Sequence, residues 1–233
     1  DMNDVVIVSR IDRMMSKDGG KVSALTINWE LRAAGTTYDI AGAVQMDKVQ
    51  TSDVAGVVSS HEGFGSGAFA SRGLDADSPC AVIPFFNRTE ELLSASNTWK
   101  GQPAAAIRKH TTTVTFSQPV DIASVLDSEM NFFIAPKQRT SEIHMPGYAP
   151  TASGIIGKGS FLPSDPYKFF VTEGDQTKNN YMMWALMIPG EFRYPAERKD
   201  IRTAYTYFNA WAASGGAQHV DWYEDEADED MLY

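Results

Sequence analysis

Leu25, Ile27, Trp29, Leu31 and Ala33 alternate without interruption with Thr26, Asn28, Glu30 and Arg32. A period of two over nine residues places every apolar side chain on one face of an extended strand and every polar one on the other, which no helix can do. The polar run Ser16-Lys17-Asp18-Gly19-Gly20-Lys21 precedes it, and Val5-Val6-Ile7-Val8 lies before that. Two strands joined by a glycine turn make a hairpin, and Gly35 ends its second strand.

Further apolar runs follow at Ile40 to Met46, Val54 to Val58, Cys80 to Phe86, Thr113 to Phe116, Phe132 to Ala135, Tyr167 to Val171 and Met182 to Ile188. Gly, Pro, Asn and Ser clusters separate them, with no helical pattern between. The spacing predicts a mainly β fold, an antiparallel β-sandwich of jelly-roll-like type, rather than a parallel sheet interleaved with helices. One amphipathic helix is expected late in the chain. Ile201, Ala204, Tyr205, Phe208, Trp211 and Ala212 fall on one stripe, Asp200 is placed as its N-cap, and Gly215-Gly216 as its stop. Trp29, Trp184 and Trp211 sit on core-facing patterns; Trp99, in the polar stretch Ser94 to Gln102, does not.

The chain of 233 residues is 43% hydrophobic and 21% charged, enough for one large core without crosslinks. Residues 1–223 read as a single domain. The lone Cys80 lies in an apolar run and reads as a small core residue. Six of the seven residues from Glu224 to Asp230 are acidic, accounting for most of a net charge of −10, and residues 224–233 are expected as a solvated, disordered acidic tail. No basic stripe is present to neutralise phosphates, which argues against nucleic acid. No apolar stretch reaches the ~18 residues of a membrane span. The first residue is Asp1 and no signal peptide is visible, so any anchor is expected upstream.

Candidate sites are few. The glycine-rich stretch around Gly63, Gly65 and Gly67 lacks the spacing of a dinucleotide or phosphate loop and reads as a surface loop. No two of His61, His110, His144 and His219 stand at zinc-ligand spacing. Asp1, Asn3 and Asp4 cluster three oxygen-bearing side chains at the mouth of a strand, suited either to a hard cation such as calcium or to a polar turn. Glu142 and His144 lie two apart, as a metal pair, an acid–base pair or a hydrogen-bonded structural pair would.

Several stretches together carry a resemblance: Asn3-Asp4-Val5-Val6, Leu31-Arg32-Ala33-Ala34-Gly35, Glu142-Ile143-His144-Met145-Pro146-Gly147-Tyr148-Ala149-Pro150-Thr151, Trp184-Ala185-Leu186 before Ile188-Pro189, and Phe208 to Tyr223. In this order they resemble the LruC-domain family over nearly the whole chain. The resemblance implies a domain of bacterial lipoproteins and secreted proteins at the outer membrane or cell surface, with no established enzyme activity. It also implies a leading motif of the form Gly-Asp-x-Asp-Phe-Asn-Asp, similar to calcium-binding openings of extracellular β-domains. Asp1, Asn3 and Asp4 match its end, and Met2 stands where an aromatic is common.

The expectation is therefore a non-enzymatic binding or adhesion module, calcium-stabilised at Asp1, Asn3 and Asp4, meeting a glycan or surface protein. The alternatives are a structural subunit of a pilus or stalk, and a hydrolase using Glu142 with His144 or Asp221.

Overall fold

The structure is a computed structural model that describes residues 2–17, 19–154, 171–172 and 181–233, with the backbone alone at 171–172 and 181–182. The expected hairpin forms from β1 (Val6–Met15) and β2 (Lys21–Ala33), in a register that pairs Ile11 with Ile27 and Val6 with Ala33. Ser16 N–H donates to Lys21 O at 2.8 Å across the turn. Gly19 and Gly20 take φ of 68° and 75°, a region open to glycine without steric cost.

All five alternating residues of β2 are buried, each large one adding roughly 1.5–3 kcal/mol by leaving water. On its other side β2 pairs with β6 (His110–Asp121), which pairs with β4 (Val54–Ser59), giving the order β1-β2-β6-β4.

The second sheet contains β3 (Ile40–Gln50), β5 (Cys80–Phe86), β7 (Met130–Pro136) and the short β8 (Ile143–His144), in the order β5-β3-β7-β8. Every pairing in both sheets is antiparallel. Leu25, Ile27 and Trp29 of the first sheet share one core with Val44, Met46, Ile83, Phe85 and Met130 of the second, the packing of a β-sandwich. A separate cluster of Ala41, Ala43, Val82, Phe133 and Phe69 covers the outer face of the second sheet. β3 is therefore buried on both faces and reads as a continuous apolar run. Phe69 arrives on the glycine-rich loop, where Asn87 accepts from Phe69 N–H and donates to Phe69 O. Cys80 is half-buried at the start of β5 rather than in the core; burial, then the charge of Asp47, raises its thiol pKa.

The late segment departs from expectation. Of the run Tyr167 to Val171, residues 167–170 lie outside the described residues. Of Met182 to Ile188, only β10 (Tyr181–Met182) is strand, pairing with β9 (Val171–Thr172), and Trp184 is exposed. The single expected helix is two short ones, α1 (Ile201–Ala204) and α2 (Phe208–Ala213). Asp200 caps α1 as expected, accepting from Arg202 N–H at 2.9 Å, and Gly215 and Gly216 stop α2 with φ of 70° and 78°.

The break falls at Tyr205, which is extended (φ −121°, ψ 120°) and bridges to Ala227. Its hydroxyl donates to Arg193 O at 2.6 Å. Residues 224–233, expected to be disordered, are docked. Asp228 N–H donates to Ala204 O at 2.8 Å, Tyr233 N–H to Tyr194 O at 3.0 Å, and Leu232 is buried. The acidic side chains face solvent while the backbone and apolar residues close the lobe. At its centre is Trp222, only 1% exposed, ringed by Tyr205, Phe208, Trp211, Phe192 and Tyr223 at centroid distances of 4.9–5.9 Å.

Candidate functional site

Three segments meet where the chain enters β1. Asn3 is fully buried: its Nδ2 donates to Pro195 O at 3.0 Å and its carbonyl accepts from Gly35 N–H at 3.0 Å. Ala34 N–H donates to Ser96 O at 2.9 Å, and Glu197 N–H to Thr98 O at 2.8 Å. Asn3 Oδ1 and Glu197 Oε2 are both buried without a hydrogen-bond partner. Gly35 separates them. A methyl group there would collide with Asn3 Oδ1 and stand 3.0 Å from Asn3 O and 3.1 Å from Glu197 Oε2. Only glycine fits at position 35, with oxygens of Asn3 and Glu197 packed against it.

Asp4 is solvent-exposed, yet partial desolvation raises its carboxyl above the usual value, opposed by the charge of the N-terminus and aided by that of Glu197. Asp1 lies outside the described residues. Among the described residues no three His, Cys, Asp or Glu side chains form a metal group; this corner mixes an amide oxygen, a carbonyl and carboxylates. Oxygen-only donors suit a hard cation, which takes such ligands at 2.3–2.6 Å. Glu197 carried no sequence signal, since Pro195-Ala196-Glu197-Arg198-Lys199 has neither period nor motif.

Glu142 and His144 do meet, but in the interior. His144 Nε2 is 2.9 Å from Glu142 Oε2, and Nδ1 is 2.6 Å from Asn131 Oδ1. Thr151 donates to Glu142 twice, from its backbone at 2.8 Å and from Oγ1 at 2.6 Å, and Arg139 adds an ion pair to Glu142 and another to Asp75. Asn131 Nδ2 donates to Ala149 O at 2.8 Å. The Glu142 and His144 side chains are 1% and 2% exposed. Burial above all, opposed by the charge of Asp47 and aided by that of Arg139, pushes the imidazole down to about 3. The network ties the 142–151 loop to β7. Asp221, the third residue of the expected acid–base set, is exposed in the turn before Trp222 and joins no hydrogen bond with the pair.

A family model described as a domain of unknown function, DUF4842, matches residues 20–223. The chain belongs to this family. The DUF4842 match takes in Gly35, Glu142, His144 and Glu197, and starts after Asn3. Comparison with curated proteins returns no match. The crystal structure of a "Putative lipoprotein from Bacteroides ovatus" is similar with a TM-score of 0.68 at 18% identity, covering 99% of this chain and 69% of that one. At that identity the likeness bears on the fold.

Two exposed tryptophans mark the surface of this DUF4842 domain. Trp99 is 44% exposed, on the loop that accepts from Glu197 N–H, with the Arg198 guanidinium carbon 5.3 Å from its ring centroid. Trp184 is 42% exposed. No helix among the described residues is long and apolar enough to cross a membrane.

Proposed function

We propose that this DUF4842 domain is a non-enzymatic binding module of the bacterial cell surface, stabilised by calcium where the chain enters β1. The buried Oδ1 of Asn3, which has no hydrogen-bond partner, carries the calcium reading. An acceptor left without a donor in the interior costs about 1–3 kcal/mol, and a cation removes that cost. Asn3, through its side chain and carbonyl, and Asp4 would hold the ion, whose chemistry here is charge neutralisation and crosslinking. The LruC-like motifs and the lipoprotein name of the similar structure support a surface location.

The recognition surface is assigned to Trp99. An exposed indole stacks on the apolar face of a saccharide, so the ligand class is a glycan. Binding of the purified chain to a panel of surface polysaccharides, compared with Trp99→Ala, tests this. Retention by one or more glycans, lost in Trp99→Ala at an unchanged melting midpoint, is the expected result. Equal retention of both proteins, or retention of neither, contradicts the assignment.

A further inference from the structure

We infer that β1 is an edge on which a second copy of this chain docks: two β1 strands pair antiparallel about Ile11, joining the β1-β2-β6-β4 sheets of two molecules into one. The pairing requires neither calcium nor a glycan.

β1 lies at the end of its sheet, and among the described residues its backbone pairs with β2 and with no other strand. Edge strands that resist further pairing are short, or are broken by proline, lysine or a bulge. β1 runs for 10 residues and contains neither proline nor lysine. Its register shifts fall between Val6 and Ile7 and between Met14 and Met15, so the run from Ile7 to Met14 is regular. Arg13, on the core-facing side with Ile11, is engaged by Val125 O at 2.7 Å and by Asp127.

The pairing of the inner strands shows which backbone groups of β1 are free. Ser60 N–H donates to Thr111 O, so Thr111 faces β4 and the next residue, Thr112, faces β2. Ile27, the partner of Thr112, therefore faces β6, and Ile11, opposite Ile27, turns its N–H and C=O outward. The contact of Ser23 Oγ with Met14 O at 3.0 Å agrees, since it sets the even-numbered carbonyls of β1 toward β2. Ser9, Ile11 and Arg13 thus present the unpaired groups of this edge.

Charge then selects the partner and the register. A two-fold axis sets each residue opposite its mirror position about the centre. Centred on Ile11, Ile11 meets its own copy and Ser9 meets Arg13 through free groups on both strands. On the outer face Arg10 meets Asp12 twice and Val8 meets Met14 twice, and opposite charges and apolar pairs across strands are favourable. Val8 and Met14 are 41% and 65% exposed in the single chain, and each covers the other. Arg10 and Asp12, paired at 2.9 Å within one chain, become a ring of four alternating charges. Other registers lose this match. A centre on Arg10, Asp12 or Arg13 sets like charges opposite each other, and one on Ser9 sets both Arg10 and Asp12 opposite valines. A centre between two residues sets free groups against groups already bonded to β2.

Sedimentation equilibrium of the full chain is to be compared with Arg10→Asp, with Asp12→Arg and with an equimolar mixture of the two, each variant checked for an unchanged melting midpoint. Wild type should move from the 25.6 kDa of one chain toward twice that mass at up to about 200 μM, since an interface of one strand pair is small and weak. Each single variant turns two opposite-charge contacts into two like-charge ones and should dimerise about tenfold more weakly or worse. The mixture should restore the dimer, because an edge with two negative charges then meets one with two positive charges. Ser9→Pro removes an outward N–H at an edge position that tolerates proline; it should also weaken dimerisation and reads the backbone pairing independently of charge. A wild-type chain that keeps the mass of one copy throughout overturns the inference. So does wild-type dimerisation in Ser9→Pro or in the charge variants, which would place the contact on another face, and a mixture that stays monomeric rejects the register about Ile11.

Discussion

Asn3 Oδ1 and Glu197 Oε2, brought from opposite ends of the sequence, are buried beside the same glycine with no donor for either. Most buried polar atoms of a folded chain are paired, and two of the unpaired ones here stand beside one glycine. The same corner gathers backbone hydrogen bonds from the β2 end, the Trp99 loop and the Pro195 segment.

Trp222 organises the helical lobe. Trp222→Ala is expected to lower stability by about 3–5 kcal/mol in denaturant unfolding, the range for deleting a large buried aromatic. Trp211→Ala should cost less, because Trp211 is only half-buried at the rim of the same cluster. Equal losses would place the lobe's centre elsewhere.

His144 gives a pH signature. Its folded pKa, about 3, lies below the ordinary value of 6.5. The unfolded chain therefore binds the proton first as pH falls. The stability from keeping the ring neutral is complete above about pH 6.5 and is lost progressively toward pH 3, by up to about 1.4 kcal/mol per pH unit. Unfolding free energies of wild type and His144→Gln at pH 7 and pH 5 should diverge accordingly, with wild type losing more on acidification. A wild type that gains relative to His144→Gln would mean a charged ring held by Glu142 and Asn131.

The docked C-terminus predicts a packing cost that salt does not move. Leu232→Ala should destabilise by about 2–5 kcal/mol by the same measurement, with little dependence on ionic strength because the contact is apolar. A Leu232→Ala effect near zero would mean that the segment hangs free in solution.

Much of the sandwich was legible because β2 has one buried face, so its alternation maps directly onto burial. β3, covered on both faces by separate clusters, was still recognisable as a strand from its apolar run and flanking breakers. The late lobe was less legible. A helical stripe predicts one helix, and its continuity is interrupted at Tyr205 by pairing with Ala227, a partner no local period can announce. Trp222 stands beside a run of acids and gave no core signal, while Trp184 was assigned to the core from a run of which only Tyr181–Met182 is strand. At the corner, the burial of Asn3 against Gly35 and the approach of Glu197 arise only once residues far apart in sequence are packed together. Glu142 and His144 were legible as a pair, but their saturation by Thr151, Asn131 and Arg139 was not.

The most direct measurement is the thermal midpoint of the purified chain in calcium and in chelator. Extracellular calcium modules bind at about 10⁻⁴–10⁻³ M. At a tenfold excess over the dissociation constant, mass action adds about 1.4 kcal/mol, which for a chain of this size is a rise of about 3–6 °C. A rise of that order, reversed by chelator and absent with magnesium, is the predicted result; a midpoint that calcium does not move contradicts it.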